Sequence, residues 1–328
     1  MANRVIDGPL FDLGCYARRG PGRRDHLTPS QAQQIALTVG HTPEVMVKVL
    51  PAANDLRAVR RHLDYLGRKG DVDLETDDGE KLRDAQAGKD LVEDWDLKLD
   101  AQRSRADLVS RLSRTPPRLI HKLMFSMPAG TPPGKVLRAV QNFCREEFAL
   151  KHHYVMALHT DEPHPHVHVV VKAMSEQSER LNIRKATLRH WRTEFARHLR
   201  ALGVPANATQ RYVRGETSPR KSNGIYRASL RGESMHMRER AESVARNLVH
   251  GGAQVEPAKR KLVETHEAVR RAWWTISEIL IRDRQPELAA QVRRFADELP
   301  APRTEREWFA AKLIERTHSP GAREGSTR

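Results

Sequence analysis

Hydrophobic and polar positions alternate first at Glu44 to Leu50, where Val45, Val47 and Val49 are interleaved with Met46 and Lys48. That period of two predicts a strand, ended by Pro51. The period then lengthens. Leu56, Val59, Leu63 and Leu66 share one helical face behind an Asn54 cap, and Gly70 stops the helix. Tyr65 falls off that apolar stripe, beside Arg61 and Arg68, and is expected on an exposed basic face. The stretch after Gly70 is expected to cross the surface before a polar helix around Lys89 to Arg114, which Pro116-Pro117 ends. Strands are predicted at Leu119 to Ser126, Tyr154 to His159 and Pro165 to Ala173, the last two joined as an antiparallel hairpin by the short link Thr160 to His164. Helices are predicted from about Lys135 to Leu150 and over 187–202, the second turning Leu188, Trp191, Phe195, Leu199 and Leu202 inward. Upstream, Thr28-Pro29 signals a helix over Ser30 to Val39. Downstream of Gly224 the pattern is helical and charged, near 233–249, 256–282, 286–299 and 304–316, with Trp273 and Trp274 read as packing residues. The division this suggests is a basic N-terminal arm (1–42), a mixed domain (43–222), a helical region (223–317) and a disordered tail (318–328).

Composition adds a partner class. The 328 residues hold 57 Lys and Arg against 42 Asp and Glu, a formal charge of +15 and a pI near 10.2, which favours a polyanion over an acidic small molecule. Residues 71–100 hold twelve acids and four bases, a net of −8 that leaves +23 on the remainder. The basic surface is thus concentrated. The absence of a membrane-length apolar run, and of an apolar core in MANRVIDGPLFDLGCYARRG, predicts a cytoplasmic protein without membrane insertion. Cys15 and Cys144 form no CxxC pair, so a metal would be held by histidine and carboxylate.

Such a site is written in HTDEPHPHVHVVVK, His159 to Lys172. Six of the sixteen histidines fall between His152 and His168. In a strand, residues i and i+2 share a face roughly 6.6 Å apart, so His166 and His168 can grip one ion while Val167, Val169 and Val171 fill the other face. His159, across the hairpin, is the expected third ligand, with His164 its rival. Three imidazoles with open positions make a catalytic metal site, and Asp161 is placed to orient a ligand or accept a proton. His152 and His153 are read as structural or phosphate-facing.

A phenol is a weak nucleophile unless cations stabilise its phenolate. Tyr65 has Arg61 and Arg68 one turn to either side. Tyr16, Tyr154 and Tyr212 are competing candidates. Between Arg180 and Lys221, eleven Lys and Arg meet only two Glu; Arg211 and Arg214 are the expected DNA contacts there, and Trp191 and Phe195 the expected core.

Three blocks, HLDYLGRKGDVDLE, HKLMFSMPAGTP and HTDEPHPHVHVVV, occur in this order. Over roughly residues 44–215 the chain resembles the relaxase/mobilisation nucleases, near the subgroup of the T-DNA border endonuclease, among the HUH endonucleases. The resemblance implies an α+β fold, with a central antiparallel sheet of about five strands and flanking helices, ahead of the mostly helical C-terminal region read from the pattern. It implies Tyr65 as nucleophile, the histidines of the third block on a divalent ion, Mg²⁺ or Mn²⁺, Ser126 at a DNA contact, and Asp161 at the family's HxD aspartate. The implied activity is single-strand nicking at a transfer origin through a 5′-phosphotyrosyl link, with rejoining, during mobilisation of a plasmid or integrative element. The implied partners are single-stranded DNA, accessory DNA-processing proteins and a type IV secretion coupling protein, with export to a recipient cell bound to DNA. A rolling-circle replication initiator uses the same chemistry, but there the tyrosine follows the histidine strand, whereas Tyr65 precedes it. A non-catalytic DNA-binding protein on the same fold is the alternative from another class.

Overall fold

The structure, a computed structural model, describes residue 13 and residues 26–103, 117–216, 234–250 and 257–318. It divides into two compact units, His41–Ala208 and the combination of Met1–Gly40 with Thr209–Arg328.

The unit His41–Ala208 is built on one sheet of six strands: β1 (Met46–Ala53), β2 (Leu74–Thr76), β3 (Lys81–Leu82), β4 (Ile120–Ser126), β5 (Tyr154–His159) and β6 (His166–Lys172). All neighbours pair antiparallel in the order β1-β4-β6-β5-β2-β3. The architecture is α+β as expected, with one strand beyond about five. Helices α1 (Pro29–Val39), α2 (Leu56–Leu66), α3 (Ala87–Asp94), α4 (Pro133–Glu147) and α5 (Lys185–Ala201) precede the C-terminal helices α6 (Met235–His250), α7 (Pro257–Arg282), α8 (Pro286–Asp297) and α9 (Glu305–His318).

Alternation along the strands gives the sheet two buried faces. On one, Val47, Leu123, Phe125, Met156, Val167, Val169 and Val171 pack against Phe143 of α4 and Trp191, Phe195 and Leu199 of α5. Phe125 meets Phe143 at 4.9 Å and Phe195 at 5.2 Å between centroids, and the Trp191 indole donates to Glu147 at 2.8 Å. Large side chains buried in this way each contribute about 1.5–3 kcal/mol. On the other face Ile120, Val155, Ala157 and Val170 take the apolar stripe of α2, Val59, Leu63 and Leu66, and the α3 residues Leu91 and Val92.

Four elements depart from the sequence expectation. β1 runs through Pro51 to Ala53 with a register irregularity after Leu50. It is an edge strand, where a missing N–H breaks no ladder. α2 is capped by Asp55, whose carboxylate accepts from Ala58 N at 2.7 Å, not by Asn54, and it ends at Gly67. The acidic stretch forms the β2–β3 hairpin, and Glu75 and Thr76 extend the sheet against Met156 and Val155. The expected long helix is interrupted: α3 stops at the buried Trp95 and at Asp96 with φ 50°, residues 97–103 are helical again, and the rest of the expected helix to Arg114 lies outside the described residues.

In the other unit, Thr28 and Gln31 form a reciprocal capping box at the start of α1. Ile35 and Val39 of α1 join a core with Trp273, Ile276, Ile279 and Leu280 of α7 and Val292 and Phe295 of α8. Trp273 is buried and its indole donates to Val213 O at 2.9 Å, whereas Trp274 is partly exposed beneath the Arg293 guanidinium. Residues 319–328 of the expected tail lie outside the described residues.

Candidate active site

The α2 face of the sheet carries a polar cluster where β5 and β6 end. Register pairs His159 with His166, and Ala157 with His168, so all three imidazoles project from one face. Their ring centroids lie 4.9–5.4 Å apart, and one nitrogen from each falls within 4.8 Å of the others. All three side chains are buried.

The nitrogens are arranged for ligation. His159 Nε2 donates to Leu66 O at 2.9 Å, a carbonyl of the last turn of α2 left free by the helix, which leaves the His159 Nδ1 lone pair. That Nδ1 is buried without a hydrogen-bond partner, as is Nδ1 of His168. His166 Nδ1 donates to His164 O at 3.1 Å, leaving Nε2. Buried nitrogens without partners cost stability, and a cation shared among them removes that cost. Burial favours the neutral form of His159 and His168, the form that binds metal. It lowers His168 to about 3, aided by His159, His166, His62 and Arg68. It also lowers His159, opposed by the Leu66 bond and aided by the Arg68 charge. Three convergent imidazoles fit a divalent ion.

His164 is exposed, and its carbonyl rather than its ring serves the cluster. Asp161 lies on the exposed β5–β6 link and accepts from Arg68 Nη2 at 2.6 Å. Burial acts to raise its pKa, but its own backbone bond and the charges of Arg68, His159 and His166 bring it below the usual carboxylate value. Orientation of His159 thus falls to Leu66 O.

Tyr65 projects from α2, half exposed at 50%. Its ring lies 6.1 Å from that of His159 and 6.4 Å from that of His168, both edge-on. Beyond α2 the chain takes positive φ at Arg68 (49°), Lys69 (58°) and Gly70 (103°). This left-handed run is uncommon for non-glycine residues and stores strain beside the cluster. It returns the Arg68 guanidinium over the Tyr65 ring at 5.1 Å while that group holds Asp161. Arg61 is exposed on α2. Ser126 pairs with His166 across β4 and β6, and is buried on the same face.

Arg211 and Arg214 belong to the other compact unit, in a short 3-10 turn where both face Glu216. Among the rival nucleophiles, Tyr154 is buried in the opposite core and burial pushes its pKa up, Tyr212 lies in the other unit, and Tyr16 lies outside the described residues. His152 Nδ1 donates to Lys172 O at 3.0 Å, and His153 lies between Asp77 and Glu176. A second group, Glu146, Glu194 and His198, is already served by Arg197, which bonds both carboxylates.

Two neighbours escaped the sequence reading. His62 stacks on Tyr65 at 6.1 Å and 18°, its Nε2 is buried without a partner, and burial with the Lys122 and His159 charges lowers it to about 4. Its position three residues before Tyr65 was the available signal. Lys122 is half-buried on β4, and no signal in its strand marks it.

Residues 74–203 match the relaxase family, MobA/VirD2-like nuclease domain, a family of DNA-nicking endonucleases. The matched span includes the histidine cluster and Ser126 and begins after Tyr65. No curated protein matches the chain. No solved structure matches it. Residues 74–203 are thus similar to the nuclease domain of the MobA/VirD2-like relaxases.

Proposed function

We propose that the protein is a conjugative relaxase that nicks one DNA strand at a transfer origin by tyrosine transesterification and later rejoins it. The observation that carries this reading is an exposed Tyr65 whose ring stands 6.1 and 6.4 Å from two members of a convergent histidine triad.

Tyr65 Oη attacks the scissile phosphorus, the phosphorus–3′-oxygen bond breaks, and the products are a 5′-phosphotyrosyl link and a free 3′-hydroxyl. The phenolic proton passes to the Asp161 carboxylate, the departing 3′-oxygen takes up a proton in exchange, and Arg68, which spans Asp161 and the Tyr65 ring, offsets the developing phenolate charge. His159, His166 and His168 would hold the divalent ion, with strand oxygens adding the hard ligands that Mg²⁺ or Mn²⁺ prefer. A bound ion supplies polarisation of a non-bridging phosphoryl oxygen. Because the ester energy is retained in the tyrosyl link, reversal by a 3′-hydroxyl rejoins strands without ATP.

Arg61, Ser126, Arg211 and Arg214 are assigned to the strand, the first two by their place beside the cluster. Accessory DNA-processing proteins, a coupling protein of the secretion machinery and export with the DNA belong to the same reading. No helix among the described residues is long and apolar enough to cross a membrane.

The test is incubation of labelled origin-type oligonucleotide with protein and Mg²⁺ or Mn²⁺. An SDS-stable adduct mapping to Tyr65 is expected, and is lost in Tyr65→Phe and on chelation. Adduct formation or cleavage by Tyr65→Phe would overturn the nucleophile assignment.

A further inference from the structure

Beside the histidine triad, three nitrogen groups lie together without an anion. Register pairs Met124 of β4 with His168, and Lys122 lies one same-face step further along β4, paired with Val170. Neighbouring same-face positions are roughly 6.6 Å apart, within reach of a lysine side chain. Burial lowers Lys122 first, and the positive charge of Arg61 lowers it further, while the charge of Lys122 is felt at His62 and that of His62 at His168. Register thus sets Lys122 on the triad's face of the sheet, and ring stacking sets His62 against Tyr65, one residue after Arg61.

What this group lacks points to its ligand. Among the described residues, neither Lys122 nor Arg61 makes an ion pair, in contrast to Arg68, which holds Asp161. His62 Nε2 is buried with no hydrogen-bond partner. Like charges gathered in a partly desolvated place repel, and an anion relieves that repulsion. The group sits on the face occupied by the attacking tyrosine.

We propose that Lys122 and Arg61, flanked by His62, form a phosphate subsite that seats the linkage next to the scissile one in a single DNA strand. This rests on the relaxase reading. Lys122 supplies a point charge, Arg61 adds a second from α2, and His62, stacked on Tyr65, ties the subsite to the nucleophile's helix. Its position in the site makes Lys122 a positioning residue.

The experiment uses the full chain with Tyr65→Phe to block cleavage, and a fluorescein-labelled, mixed-sequence 30-mer single strand titrated by anisotropy across salt concentrations. Lys122→Met is expected to weaken binding about ten-fold and to reduce the slope of log K against log salt by about 0.7, the signature of one phosphate contact on a single strand. Lys122→Arg is expected to retain most of both. Arg61→Gln should lose a similar amount, and the double variant less than the product of the two, since both address one phosphate. Lys151→Met, exposed at the far end of β5, should match the parent. An unchanged slope and affinity in Lys122→Met, or an equal loss in Lys151→Met, overturns the subsite. A chain that forms the Tyr65 adduct but shows either result loses this inference alone; a chain that binds no single strand even at low salt loses the relaxase reading with it.

Discussion

Burial decides the charge of individual histidines here, and His121 isolates the effect away from the triad. It lies on β4, its Nε2 is 3.1 Å from Leu181 O, and its Nδ1 is buried without a partner. Burial, then the charge of Arg118, pulls it down to about 4. The folded pKa lies below the unfolded one, so as pH falls the unfolded chain takes the proton first. The contribution is complete above about pH 6.5 and is lost as pH falls toward 4. His121→Gln keeps a donor for Leu181 without the titration. Melting temperatures recorded from pH 7 to pH 4 should fall in the parent and fall less in the variant. Equal slopes would show that His121 contributes nothing. At this scale the sequence disclosed His166 and His168, because a strand period of two forces alternate residues onto one face, and offered His159 as third ligand with His164 its rival. It disclosed neither Lys122 nor His62, whose meaning depends on what stands opposite them, nor Leu66 O, a backbone atom with no sequence signature.

Among the elements, α2 carries the proposed nucleophile, and three features fix it. Its apolar stripe is sunk in the sheet, its N-terminus is capped by Asp55, and its C-terminal carbonyl holds His159. Asp55→Ala removes the bond to Ala58 N and should destabilise the protein by about 1 kcal/mol. Urea denaturation reads the change, and a shift below about 0.3 kcal/mol would mean that packing alone sets the helix start. The helix itself was legible from Leu56, Val59, Leu63 and Leu66. Its cap was displaced by one residue because Asn54 and Asp55 are both good caps, and only the entry angle from β1 selects between them. The β2–β3 hairpin was not legible. Strands of three and two residues, LET and KL, are too short to show a period, and they form because β5 offers an open edge.

The whole sheet separates charge. Strand order places the acid-rich segment containing β2 and β3 at one edge, while β1 and β4, with Lys48 and Lys122, lie toward the other. A polyanionic strand is repelled from the first side and drawn to the second. Every residue assigned to the transesterification, Tyr65, Arg68, His159, Asp161, His166 and His168, lies within His41–Ala208. Residues 41–208 expressed alone should therefore unfold in one cooperative transition and form the Tyr65 adduct, with weaker DNA binding once Arg211 and Arg214 are absent. A folded fragment that forms no adduct would show that the other unit contributes to the chemistry.

The sequence by itself determined the periods of β4, β5, β6 and α2, the shared face of His166 and His168, and a concentrated basic surface. These follow from local geometry and from composition, which need no partner. Tertiary structure decided the rest: that His159 joins the pair, that Tyr65 and not Tyr154 stands at the cluster, and that Asp161 is held by Arg68. It also decided that an acidic stretch becomes two strands. Each of these depends on antiparallel register and on a helix docked across the sheet, contacts between residues far apart in the chain that no local pattern encodes.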